Sequence, residues 1–275
     1  MAEPPLAPEV LAYYAAGDEA ARLARGHGPI ELARTQELLL RHLPPAPAVV
    51  LDVGGGPGVH ACWLAARGYA VHLIDALALH VEQARAASAR QPEHPLARLE
   101  VGDARRLTAP DASADAVLLL GPLYHLTARR DRLAALGEAR RALRPGGVVI
   151  AVGISRWASL FSGLFEGLLG DPAAAAIVEQ DLRDGQHRNP TPRDYFTTAF
   201  FHRPEELEAE VTEASLDVRE MVGVEGPGWL LPDVEERWKD EAERARLLAG
   251  ARAVEREPSL LGVSAHLLVA AHKPC

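Results

Sequence analysis

The chain has 275 residues, 48% hydrophobic and 24% charged, with 38 acidic against 29 basic side chains and a formal net charge of −9. That length can bury a full core in one large domain or a domain with a lid, and no apolar run approaches the roughly 20 residues that a bilayer span needs. The acidic balance opposes nonspecific attraction to nucleic acid, whose binding rests on phosphate neutralisation. Cys62 and Cys275 are too few for a disulfide scaffold, and MAEPPLAPEV has no basic stretch leading into an apolar one. Neither a secretory signal nor membrane insertion is expected, and a cytoplasmic location is the default.

Residues 9–24 read as one helix, or as two parted at Gly17-Asp18, carrying Tyr13, Tyr14, Glu19 and Arg22. A second helix is predicted over 29–43, where Pro29 suits a first turn and Ile30, Leu32, Ala33, Leu38 and Leu39 supply an apolar face. Pro44-Pro45-Ala46-Pro47 stops it and feeds residues 48–58, AVVLDVGGGPG. Val49, Val50, Leu51 and Val53 form the short apolar run of a buried parallel strand, glycines follow, and 59–67 continues as a helix. Strand, glycine turn and helix let backbone approach a ligand with no Cβ between, although a tight turn without a ligand reads the same way. Gly54, Gly56 and Gly58 give G-x-G-x-G, with Val59 where a dinucleotide loop has its third glycine. Asp52 lies inside the strand end, an odd place for a carboxylate unless it hydrogen-bonds the loop or a ligand ammonium.

Strands at 69–74, 96–101, 114–120 and 148–154 then alternate with helices at 78–90 and 129–143. Alternation of this kind implies a mostly parallel sheet with helices on both faces, and ligands of such sheets sit outside the carboxyl ends of the strands. Asp52, Asp75, Asp103 and Gly121 all fall at such ends. On the helix after the glycines, Cys62 is expected to be packed, and His60 is a lesser candidate for edging the ligand.

Five features in order make residues 48–154 resemble the class I S-adenosylmethionine-dependent methyltransferases. They are Asp52 with the glycines; Asp75 closing the strand YAVHLI; Gly102-Asp103-Ala104; Gly121-Pro122-Leu123-Tyr124-His125; and Leu143-Arg144-Pro145-Gly146-Gly147 before the fifth strand. The resemblance implies that the loop of Asp52, Gly54, Gly55, Gly56 and Gly58 wraps the methionine part of the cofactor. It further implies that Asp75, beside Ala76, accepts from the ribose hydroxyls and that Asp103, beside Ala104, accepts from the adenine amino group. Gly121 then stands where substrate meets the methyl group. Tyr14 and Arg22 are candidates for the cofactor carboxylate, with a core tyrosine and a surface arginine as the plainer readings. YYAAGDEAARL, GPLYHL and FFHRPEEL also resemble bacterial methyltransferases of the small-molecule type.

Residues 155–203 break the alternation with an apolar stretch, a helix at 172–184 and a loop at 185–190. Three of the five phenylalanines and one of the five tyrosines fall in residues 195–201, as an inserted lid over the cleft requires and as a satellite core also would. Arg156, Trp157, His187, Arg188, Tyr195 and His202 are the candidate substrate contacts there. A helix at 204–214, a sixth strand at 215–224, a charged helix at 233–257 and a last strand at 260–271 complete the chain. The expected fold is α/β: a doubly wound, seven-stranded, mostly parallel sheet with an N-terminal helical cover (1–47), a cofactor-binding core (48–154), an inserted helical lid (155–203) and a C-terminal part of the same fold (204–275).

Methyl transfer is an in-line displacement, so the protein's main task is to align two partners in a dry cleft, and such orientation contributes on the order of 7–11 kcal/mol. A general base is useful only where the acceptor atom carries a proton near neutral pH. His125 is the candidate base, with helix capping or a bond to the cofactor carboxyl as its other readings, and Tyr124 is placed to orient the acceptor. None of the eleven histidines has zinc-site spacing, so no metal is expected. No G-x-S-x-G occurs, and Gly121-Pro122-Leu123-Tyr124 stands where methyltransferases of nucleobase or glutamine amides carry N/D-P-P-Y/F. The reading is transfer from S-adenosyl-L-methionine to the O, N or C of a small-molecule acceptor, leaving S-adenosyl-L-homocysteine, by a monomer or homodimer. The alternatives are a cofactor-binding protein without methyl transfer, a tRNA-modifying methyltransferase and, last, a nicotinamide-dependent oxidoreductase.

Overall fold

A computed structural model describes residues 6–16, 19–189 and 195–275; the Gly17-Asp18 break and positions 190–194 of the expected lid lie outside them. Unbroken apolar runs build the sheet. Strands β1 (Val49–Val53), β2 (Ala70–Asp75), β3 (Arg98–Val101), β4 (Ala114–Leu119) and β5 (Leu143–Ser155) pair in parallel in the order β3-β2-β1-β4-β5. Successive side chains of a strand point to opposite faces, and the core divides accordingly. Leu51, Val53, Val117, Leu119, Val149 and Ala151 join one cluster, whereas Val50, Ala116, Leu118, Val148, Ile150 and Val152 join another. Both faces are covered, which is why these strands read as continuous apolar runs. Leu118 and Leu119 are fully buried on opposite faces, and truncating either to alanine costs about 2–5 kcal/mol.

The helices supply the two outer layers. Helices α1 (Pro8–Ala16) and α2 (Glu19–Arg22) precede α3 (Gly28–His42), which packs Leu38 and Leu39 against the face also covered by α4 (Val59–Ala65) and α5 (Ala78–Ala89). A single turn, α6 (Pro122–His125), follows β4, and α7 (Arg129–Ala142) covers the opposite face. The segment after β5 forms α8 (Ala158–Phe165), α9 (Pro172–Asp184) and the strands β6 (Gln186–His187) and β7 (Ala199–His202). Then come α10 (Pro204–Glu213), β8 (Asp217–Gly223), α11 (Val234–Lys239), α12 (Glu241–Val254) and β9 (His266–His272), the last lying antiparallel between β5 and β8. No helix among the described residues is long and apolar enough to cross a membrane.

Three features depart from the sequence expectation. Two strands, β6 and β7, join the expected seven. The end of β5 runs past the tip of β4, and β7 pairs with that overhang at Ile154 and Ser155 while β9 holds Ile154 from the other edge. A free strand edge is thereby covered. The charged stretch predicted as one helix is two, because Asp240 leaves the helical conformation and its carboxylate caps α12 at Glu243 N (2.9 Å). The last strand begins at His266, after a helical turn at Leu261–Val263.

Candidate functional site

The carboxyl ends of β1, β2 and β4 open into one cleft, lined by Gly54, Gly55, Gly56, Asp75, Ala76, Gly102, Ala104 and Gly121, with Tyr14, Arg22 and His125 across from them. Gly54 has φ +70°, and a Cβ there would lie 2.6 Å from Pro122 Cγ, so only glycine lets the loop pass beneath α6. Gly56 N donates to Asp75 Oδ2 (2.8 Å), and Asp75 Oδ1 accepts from Leu77 N (2.9 Å) and faces His80 Nδ1 (3.2 Å). These bonds fix the Asp75 carboxylate at the cleft wall, and a carboxylate so held keeps further acceptor capacity for hydroxyl groups. Asp52 is buried under the loop rather than lining it, and its Oδ2 has no hydrogen-bond partner among the described residues. Burial, and then the charge of Asp75, push its carboxyl up to about 7. Gly58, at φ +86°, serves as the N-cap of α4 and does not line the cleft.

Three cofactor candidates are engaged with other residues. Asp103 turns onto Arg105, whose Nη2 lies 2.8 Å from Oδ2 and whose backbone N donates to Oδ1, so Gly102 and Ala104 line the cleft and Asp103 does not. Arg22 does line it, but its guanidinium is bidentate on Glu31 (2.7 and 2.9 Å) and also meets Glu19 (2.7 Å). Two carboxylates already satisfy this cation, a candidate in sequence for the cofactor carboxylate. Tyr14 likewise spends its hydroxyl on His125 Nε2 (2.7 Å).

A second, larger cavity of about 600 Å³ adjoins the cleft, and Tyr14, Arg22, Tyr124 and His266 border both. Its walls are mainly apolar and aromatic, from Tyr13, Ile154, Ile177, Phe196, Phe201 and Trp229. Of the lid candidates, His187 and Tyr195 face this chamber with their polar atoms taken. His187 meets Asp181 Oδ2 (2.8 Å) and Phe196 O (3.0 Å), and Tyr195 donates to Asp171 (2.7 Å). Arg156, Trp157, Arg188 and His202 line neither cavity, for separate reasons. Arg156 is buried on Phe201 O (2.8 Å) and Glu206 (2.6 Å); Trp157 packs over Gly262; Arg188 lies outside on Gln186 and Thr127; His202 is fully buried beside Glu210.

The fold and cleft can be set beside known proteins. A family model described as a methyltransferase domain matches residues 50–147. The ubiquinone/menaquinone biosynthesis C-methyltransferase of Caulobacter vibrioides is 35% identical over 130 residues, which cover 44% of this chain and 50% of that protein. Residues 50–147 are a class I S-adenosylmethionine-dependent methyltransferase domain. An S-adenosyl-L-methionine-dependent Diels-Alderase of Talaromyces variabilis is 36% identical over 129 residues, 46% of this chain and 43% of that one. The chain thus spans about half the length of the curated relatives it matches. The solved S-adenosylmethionine-dependent methyltransferase of Methanosarcina mazei shares the fold with a TM-score of 0.58 at 17% identity, covering 86% of this chain and 97% of its own. The cofactor of the methyltransferase domain is S-adenosylmethionine, and the cleft fits it in donor chemistry. Bare backbone at Gly54 to Gly56 and the fixed Asp75 acceptor face the space, and an orphaned buried carboxyl oxygen of Asp52 sits beneath.

Sequence reasoning passed over Glu31, Glu225 and His266, whose donor atoms lie within 4.8 Å of one another. The two carboxylates are hydrogen-bonded to Arg22 and to Ser264 and His266 respectively. Burial alone would raise the Glu31 carboxyl, but His266 and Arg22 bring it down to about 2. Only His266 left a trace in sequence, as a polar residue inside the apolar stretch 260–271.

Proposed function

We propose that this chain is a methyltransferase that moves a methyl group from S-adenosylmethionine to an O, N or C atom of a small organic acceptor. The observation that carries this is the meeting of a glycine-lined cleft and an apolar chamber at Tyr14 and Tyr124. The bound cofactor supplies an electrophilic methyl group on a sulfonium. The chain's own residues align the acceptor and keep water out, which is where most of the acceleration of such a displacement comes from. They also take its proton. Once methylated, an acceptor O–H or N–H is strongly acidic, and the Tyr14 oxygen can accept that proton as its own passes to His125 Nε2. Burial lowers the His125 pKa to about 4, so the ring is neutral and ready at physiological pH. Its weak basicity is enough for a proton made acidic by the reaction.

The test is to incubate the purified chain with labelled S-adenosylmethionine and a panel of small acceptors. Acceptor-dependent formation of S-adenosylhomocysteine with a labelled product supports the proposal. Cofactor binding without label transfer to any acceptor would favour a second reading, use of the bound cofactor without methyl transfer, for which the similarity to the Diels-Alderase speaks. Tighter binding of NADH than of S-adenosylhomocysteine would sink both.

A further inference from the structure

We infer that the acceptor is an aromatic hydroxyl compound of the phenol class, held in the apolar chamber with its oxygen hydrogen-bonded by His266 Nε2. The inference rests on the methyltransferase reading and narrows it to one substrate class.

The chamber walls come first. Tyr13, Tyr124, Phe196, Phe201 and Trp229 present rings to the space, and Phe196 stands edge-on to Tyr13 at 5.6 Å and to Tyr124 at 6.4 Å. Ring walls set at steep angles to one another suit a flat aromatic guest, which can stack on one wall and meet another edge-on. Apolar ligand sites of this kind hold orientation through a few placed polar groups. At the inner end the cation that borders both cavities, Arg22, is bidentate on Glu31 and bonded to Glu19. It offers no free charge to a phosphate or carboxylate.

His266 brings a polar group to that end of the chamber. Glu225 is fully buried; its Oε2 accepts from Ser264 Oγ (2.6 Å) and His266 N (3.0 Å), and its Oε1 accepts from His266 Nδ1 (2.5 Å). A carboxylate so fixed sets both the orientation of the imidazole and the nitrogen that carries the proton. His266 Nε2 has no hydrogen bond among the described residues, and His266 borders both cavities. Burial opposes the charged form, but Glu225 and Glu31 outweigh it and hold the His266 pKa above the ordinary imidazole value. That shift favours the protonated ring, in which Nε2 is a donor, beside the seam where acceptor and cofactor meet. A phenolic oxygen satisfies it, and the ring behind that oxygen fills the apolar walls.

Equilibrium dialysis tests this with 1-naphthol, naphthalene and 1-naphthyl phosphate against the full chain saturated with S-adenosylhomocysteine. The expected result is 1-naphthol at least tenfold tighter than either of the others. His266→Phe should erase the preference of naphthol over naphthalene, and His266→Gln, which restores a donor, should recover part of it. Ile177→Trp, filling the chamber, should abolish binding of all three while leaving S-adenosylhomocysteine affinity within twofold, which also reports that the variant is folded. Naphthyl phosphate binding tightest, equal binding of naphthol and naphthalene by the unmodified chain, or retention of the preference by His266→Phe each overturns the inference. Should the chain bind S-adenosylhomocysteine and none of the three probes, the phenol assignment falls and the methyltransferase reading stands. Failure to bind S-adenosylhomocysteine removes the methyltransferase reading itself.

Discussion

Tyr14 Oη lies 2.7 Å from His125 Nε2, joining the first helix to the turn after β4 across 111 positions of sequence. His125 Nδ1 faces the carbonyl of Thr198 at 3.5 Å, and a carbonyl only accepts, so Nδ1 carries the proton and Nε2 receives the Tyr14 hydroxyl. In the proposed reaction the two side chains act as one relay. Tyr14→Phe and His125→Gln should each lower kcat by about 10²-fold with an O–H or N–H acceptor, and the double variant should lose little more than the worse single one. Additive losses would mean that the two residues act separately. Affinity for S-adenosylhomocysteine should change by less than about threefold in His125→Gln.

The titration of the buried groups is directional. Burial lowers both His60 and His125 to about 4, below the ordinary value of about 6.5 in an unfolded chain. Between these values the unfolded chain binds more protons, so this contribution is complete above pH 6.5 and is lost as pH falls toward 4. Asp52 runs the opposite way. Its carboxyl, raised to about 7, stabilises the fold below the unfolded value of about 4, and that contribution is lost as pH rises through 7. Two measurements check this. The ring resonances of His60 and His125 should not titrate above pH 5, and Asp52→Asn should gain Tm relative to the unmodified chain on going from pH 5 to pH 8.

The glycine loop separates two kinds of strain. Gly54→Ala meets both a positive φ and Pro122 Cγ at 2.6 Å, whereas Gly56→Ala meets only φ +56°, with nothing within 4 Å of its Cβ. The backbone term alone is worth about 1–2 kcal/mol, so Gly56→Ala should lose about that much stability. Gly54→Ala should lose more and should also weaken S-adenosylhomocysteine binding at least tenfold, because Pro122 opens the turn that carries Tyr124 and His125. Gly137→Ala on α7, with open space at its Cβ, should be neutral or stabilising by up to about 1 kcal/mol. Thermal melts and isothermal titration read all three.

Asp75 is a two-sided acceptor, with Gly56 N on one oxygen and Leu77 N on the other. In Asp75→Asn the amide nitrogen must face one of those N–H groups, leaving donor against donor. S-adenosylhomocysteine affinity should fall by about 10–100-fold, from loss of charge-assisted bonds worth about 1.5–3 kcal/mol. Unchanged affinity in Asp75→Asn would remove Asp75 from the cofactor site.

The parallel core was legible because its determinants are local. Apolar runs at β1, β4 and β5, glycines after β1 and acids at strand tips follow from neighbours in the chain, and comparison with the Methanosarcina mazei methyltransferase shows the same fold. The segment after β5, expected as a lid, was legible only as a concentration of aromatics. Whether Phe196 lines a cavity and Phe200 a cation depends on which residues α7 and α10 bring underneath, over separations of 68 positions or more for Arg132. Arg22 illustrates the limit most plainly: its partner Glu31 is nine positions away, on the far side of a loop, with no periodicity linking the two. Asp103 was identified by its place at a strand tip, and no feature of sequence spacing foretold that Arg105 would turn its carboxylate aside.

Arg132 links the segment after β5 to the turn that carries Tyr124 and His125. Its guanidinium donates to Leu126 O (2.9 Å) and Thr127 O (3.0 Å), directly after His125, and grips Glu210 at 2.9 and 2.7 Å. The Phe200 ring stacks on it at 3.7 Å. Both charges are buried, and breaking such a pair costs about 3–5 kcal/mol, because the remaining charge stays buried without its partner. Burial alone would raise the Glu210 carboxyl, yet hydrogen bonds from His202 and Arg132 hold it down at about 2. Its stabilisation is therefore complete above the unfolded value of about 4.3 and is lost as pH falls toward 2. Glu210→Gln should lower stability in urea at pH 7 by up to that amount, and the deficit should shrink on moving to pH 3. A deficit that is the same at both pH values would mean that the Glu210 charge contributes nothing and that the pair holds the turn by packing alone.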